Sequence, residues 1–125
     1  MKEKSMAKDD YDVIVYKILV YLYGCLKRKT VFTQAVFGRT IKREQLDDGY
    51  LEDVIRMMTT ENLITGTSFT KAWGNKYIML SDYGDMEITP AGIHYLKENS
   101  GAQKVKEMLL ESTDMIAGLI EILAL

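Results

Sequence analysis

A single histidine, His94, and a single cysteine, Cys25, limit the chemistry this sequence can perform. With one of each, a His-based metal cluster or a Cys–His or Ser–His–Asp arrangement is reduced to one possible member. His94 falls in the helical phrase "AGIHYLKEN", where a surface or packing role is expected. Cys25 sits inside an apolar run and reads as a small buried hydrophobe, with no partner for a disulfide or a Cys-based zinc site. No GxxxxGK[ST] occurs, and no GxGxxG follows a strand pattern, so no phosphate cradle is signalled. The carboxylate pairs Asp47-Asp48 and Glu52-Asp53 look like a helix cap followed by a solvated helix face, without the spacing of a cation loop. The expectation is a non-enzyme with no catalytic residues, no metal and no cofactor.

The residues that could do binding chemistry are cationic. Residues 1–43 carry ten Lys/Arg against four Asp/Glu, and residues 44–125 carry six against fourteen, so the net charge of −2 hides a basic third and an acidic remainder. Such asymmetry suits one face to an anion while another repels it. Lys27, Arg28, Lys29, Arg39, Lys42 and Arg43 form the basic stretch, and Lys71, Trp73 and Lys76 gather around a turn signal. Cationic and aromatic groups together at a hairpin tip suit a sugar–phosphate backbone. These nine residues are the candidate nucleic-acid contacts. Against them stands the segment from Asp48 to Thr60, where Asp48, Glu52 and Asp53 face a single Arg56. Carboxylates at that position repel phosphates, and no Asn, Gln or second Arg is present to read bases.

The elements that must position these residues follow from periodicity. Tyr11, Ile14, Val15, Ile18, Leu19, Leu22, Cys25 and Leu26 recur at helical spacing, predicting a first helix from about Asp10 to Leu26. Val13, Val20, Tyr21 and Tyr23 add apolar surface outside that stripe, so the helix wants a second partner. Between residues 27 and 47, Val31-Phe32-Thr33 suggests a short strand and Gln34 to Leu46 a short helix. Asp47 or Asp48 caps the next helix, whose stripe is Leu51, Val54, Ile55 and Met58. The period then changes to two: Leu63 to Phe69 and Lys76 to Leu80 predict a hairpin with its tip near Lys71-Ala72-Trp73-Gly74, and Met86 to Ile88 a short third strand. Thr89-Pro90 opens a further helix ended by Asn99-Ser100-Gly101, and a last helix is expected from about Ala102 to Ile122.

That order predicts an α+β winged helix-turn-helix, mostly helical, with a small hairpin wing and an extra C-terminal helix. The expected division is a disordered segment over 1–9, a winged-helix domain over 10–100, and a C-terminal helix over 101–125. The stretch Val13 to Leu26 is too short to span a bilayer and carries Lys17, and no small-residue cleavage site follows it. A cytoplasmic protein without a membrane partner is expected.

The segments "DDYDVIVYKILVYLY", "YLEDVIRMMTTENLI", "FTKAWGNKYI", "EITPAGIHYLKENS" and "KVKEML", in that order, resemble the YjcQ family of small winged-helix proteins from Gram-positive bacteria and their phages. The resemblance implies a prophage setting, and it implies no biochemical activity.

Two functions fit these readings. One is a homodimeric DNA-binding regulator, with duplex gripped by the basic residues and half-sites spaced by a dimer. The other is a module that docks a phage or host protein and does not bind DNA. The expected dimer interface is Tyr21 with the C-terminal seam Val105, Leu109, Ile116, Leu119, Ile120 and Leu123, because the two terminal helices carry more apolar surface than one small domain is expected to cover.

Overall fold

A computed structural model describes residues 10–125; the segment 1–9, expected to be disordered, lies outside the described residues. The chain forms α1 (Tyr11–Leu26), α2 (Gln34–Ile41), a 3-10 turn at Arg43–Gln45, α3 (Asp48–Thr60), β1 (Ile64–Thr65), β2 (Phe69–Lys71), β3 (Tyr77–Met79), β4 (Glu87–Ile88), α4 (Pro90–Glu98), α5 (Ser100–Glu111) and α6 (Ile116–Ile122). This is the winged helix read from the sequence: three helices, a hairpin wing, then further helices.

The excess apolar surface of α1 is explained within the chain. Val13 to Gly24 are all buried, and α1 is packed by α2, α3, α4, α5, α6 and β4. A helix apolar on every side must be enclosed, and here one chain encloses it. Burying each large aliphatic side chain contributes about 1.5–3 kcal/mol, so α1 is the axle of the core. The same packing takes up the seam expected at a dimer interface. Tyr21, Val105, Leu109, Ile116, Ile120 and Leu123 are buried in their own core, and Leu119 is half-buried against it.

The C-terminal helix is two helices rather than one. Ser112 Oγ donates to the Leu109 carbonyl (2.9 Å) and accepts from the Asp114 N–H (3.1 Å), while Asp114 Oδ1 accepts from the Ile116 N–H (3.1 Å). Ser and Asp offer the backbone these local alternatives to helical bonds. The chain turns there and folds α6 back over α1.

In the segment 31–33 no strand forms. The Tyr21 hydroxyl donates to the Val31 carbonyl (3.0 Å) and accepts from the Thr33 N–H (3.1 Å), taking groups that a strand partner would need. Thr33 then caps α2, its hydroxyl accepting from the Val36 N–H (3.2 Å), and Asp47 caps α3 through the Tyr50 N–H (3.1 Å). Lys42 ends α2 with φ 56°, in the left-handed region.

The first arm of the wing breaks in its middle. Ile64 pairs with Ile88 and Thr65 with Glu87, whereas Phe69 pairs with Met79 and Lys71 with Tyr77. Residues 66–68 therefore face residues 80–86, which include a 3-10 turn at Tyr83–Asp85. Gly66 makes the break at φ 85°, and a Cβ there would strike the Asp85 carbonyl oxygen. At the base, Thr89 caps α4 through the Gly92 N–H (3.0 Å) and donates to the Asn62 carbonyl (2.6 Å). Asn99-Ser100-Gly101, expected to end that helix, opens α5 instead, with Asn99 Oδ1 accepting from the Ala102 N–H (3.0 Å).

Candidate binding surface

The nine basic and aromatic candidates fall at three separate places. Lys27 and Lys29 are exposed beyond the end of α1, Lys27 lying 5.5 Å from the Tyr23 ring centre, which Lys97 also approaches at 6.0 Å. Arg28, with φ 59°, lines an apolar groove of about 320 Å³ with Leu26, Phe32 and Ile88. Arg39, Lys42 and Arg43 line a groove of about 900 Å³ beside α2 and the start of α3, together with Glu44 and Asp48. Lys71, Trp73 and Lys76 occupy the wing tip, all exposed.

Several cations needed for a duplex are already engaged. Arg43 reaches Asp48 at 3.5 Å and lies 5.1 Å over the Tyr83 ring, and Lys42 reaches Asp114 at 3.6 Å. On α3, Arg56 reaches Asp53 at 3.7 Å and folds over the Tyr77 ring at 4.6 Å. The outward side of α3 presents Asp48, Asp53 and Met57, a poor surface for phosphates.

The wing itself has two unlike faces. Side chains alternate along a strand, so paired residues share a face. Phe69 and Met79 share one face, are half-buried and pack against the core. The Met79 N–H donates to Glu52 Oε1 (2.8 Å), which seals the β3 edge with a side chain from α3. Thr70 and Ile78 share the opposite face, continued by Leu80. There Ile78 is 49% exposed and Leu80 64%, and at the tip Trp73 is 95% exposed. The tip turns through Gly74 (φ 70°) and Asn75 (φ 61°), the turn signal read from the sequence. Lys71 and Lys76 flank the tip. The result is a projecting apolar face with a cationic border.

Sequence reasoning located the tip but missed the face. Alternation in "KYIML" puts Ile78 and Leu80 on one side, and that signal was available. It also missed a buried ion cluster. Lys17, 1% exposed in the middle of α1, donates to Asp114 Oδ2 at 2.9 Å, and Lys42 shares that oxygen. Burial pushes the Asp114 carboxyl up, but the Lys17 hydrogen bond, the Ile116 N–H and the charges of Lys17 and Lys42 outweigh it and hold the pKa below the ordinary value.

His94 is exposed, and Cys25 is half-buried with its thiol pKa pushed up by burial. Among the described residues no group of three or more His, Cys, Asp or Glu is placed to hold a metal ion. Among them, too, no helix is long and apolar enough to cross a membrane. No curated protein and no solved structure matches the chain at a significant level. The model of one family, described as YjcQ protein, matches residues 16–115. That match runs from within α1 to the α5–α6 turn, and the chain belongs to the YjcQ family.

Proposed function

We propose that this protein is a non-enzymatic docking module that binds another protein through its wing, the partner being a phage or host protein with an apolar and acidic surface. The observation that carries the reading is the exposed apolar surface of the hairpin: Trp73 at the tip, 95% exposed, with Ile78 and Leu80 exposed along the outward face of the second arm. An exposed apolar patch of this kind marks an interaction surface, and Trp is enriched among residues that dominate protein interfaces. A wing that only touched phosphates would gain nothing from Ile78 and Leu80. Lys71 and Lys76 at the border favour a partner bearing carboxylates.

The regulator reading loses weight on two observations. The seam expected to join a dimer is spent in the chain's own core, and α3 turns carboxylates toward the position a duplex would take.

The test is to immobilise wild type, Trp73→Ala, Ile78→Asp and, as a control on α5, Leu110→Asp. A partner recovered from phage-bearing cells is then purified and its direct binding measured. Loss of binding in the two wing variants, with Leu110→Asp unaffected, is the expected result. Equal binding by wild type and both wing variants would refute it.

A further inference from the structure

We infer that the cleft joining α1, the end of α2 and the α5–α6 turn is a binding site for a small monocarboxylate with a short aliphatic tail. The cleft encloses about 160 Å³ and is lined by Val13, Lys17, Lys42, Met108, Leu109 and the turn residues Ser112 to Asp114. A water molecule takes about 30 Å³ of liquid, so there is room for an organic anion of several non-hydrogen atoms.

Charge sets the ligand class. Two ammonium groups, Lys17 and Lys42, share one carboxylate oxygen of Asp114, at 2.9 and 3.6 Å. The other oxygen of Asp114 accepts from the Ile116 N–H. The cleft therefore carries one positive charge beyond balance: Lys17, almost wholly buried, is paired with Asp114, and the surplus rests on the part-exposed Lys42. A monoanion completes that balance where a dianion would overshoot it. Donors are available as well. An ammonium has three N–H groups, and among the described residues Lys17 makes one hydrogen bond, to Asp114. Lys42, whose side chain is part-exposed, stands where it can turn a second ammonium toward the ligand. Val13, Met108 and Leu109 provide apolar wall, which suits a short hydrocarbon tail and not a fully polar oxyanion. Bound there, the anion would tie α1 to the turn that starts α6. This inference stands apart from the docking reading, since no wing residue lines the cleft.

The experiment is an amide NMR titration of the whole chain with sodium butyrate, at ionic strength held constant with sodium chloride. Butan-1-ol serves as the neutral comparison and Lys42→Gln as the variant, its fold checked by its dispersed spectrum. Saturable shifts at Val13, Thr113 and Asp114 with butyrate, absent with butan-1-ol, are expected. Lys42→Gln should weaken butyrate binding about tenfold or more, the usual effect of losing one charge-assisted hydrogen bond. Shifts that do not saturate, that butan-1-ol reproduces, or that Lys42→Gln leaves unchanged would overturn the assignment.

Discussion

Replacing Asp114 with alanine should be among the most damaging single changes outside the apolar core. The variant leaves the Lys17 ammonium, 1% exposed, without its hydrogen-bonded counterion at 2.9 Å and with Lys42 still nearby. Removing one partner of a buried pair costs about 3–5 kcal/mol, because a charge is left buried and uncompensated. Lys17→Met is the milder change. It keeps the volume of the stem and leaves Asp114 with Lys42 and the Ile116 N–H, so a loss of about 1 kcal/mol is expected. The double variant Lys17→Met/Asp114→Asn buries neither charge and keeps an oxygen for the Ile116 N–H. It should return to within about 1 kcal/mol of wild type, or exceed it. Urea unfolding followed by far-UV circular dichroism is the assay, because Trp73 is the only tryptophan and reports the wing. The pH dependence has a defined sign. The folded Asp114 carboxyl titrates below its unfolded value, so its stabilisation is complete above about pH 4 and is lost as pH falls through the folded value. The double variant should lack that part of the acid destabilisation. An Asp114→Ala loss below about 1 kcal/mol, or an equal loss in Lys17→Met, would refute the reasoning.

Three further outcomes follow from the packing. Tyr16→Phe should leave stability unchanged or raise it by about 1 kcal/mol in urea unfolding, since the buried Tyr16 hydroxyl has no hydrogen-bond partner among the described residues; a loss above that size would contradict this. Ile120→Asp places a carboxylate where the residue is 1% exposed and should cost about 4 kcal/mol or more, so circular dichroism should report unfolding rather than a folded monomer. Gly66→Ala combines φ 85° with a clash on the Asp85 carbonyl and should cost about 2 kcal/mol or more; a thermal midpoint unchanged from wild type would mean that the break in the wing is not fixed there.

Much of the fold was legible because strong local signals agreed with the final packing. The α1 stripe, the Asp47 and Thr89 caps and the Gly74-Asn75 turn each specify their element from a few neighbouring residues. What was not legible depended on distant partners. The apolar surplus of α1 looks the same in sequence whether a second copy or α6 covers it, and only the turn at Ser112 to Asp114 decides between them. Lys17 and Asp114 stand 97 positions apart, so no local pattern couples them. The basic residues were a fair reading of charge, yet charge in sequence does not tell which cations are drawn onto the chain's own carboxylates, as Lys42 and Arg43 are. The wing face lay between these cases: alternation marked Ile78 and Leu80 as neighbours, but their exposure depends on which face α3 takes.

The most direct test of the docking account uses Trp73 as its own reporter. Mixed-sequence duplex DNA is titrated into the protein at low salt while tryptophan emission and anisotropy are followed, and the titration is repeated with the purified protein partner. The account predicts no change with duplex, and with the partner a saturable blue shift as Trp73 leaves water, lost in Ile78→Asp. A duplex-induced change that weakens steeply with salt and disappears in Lys71→Ala/Lys76→Ala would contradict it and return the wing to nucleic acid.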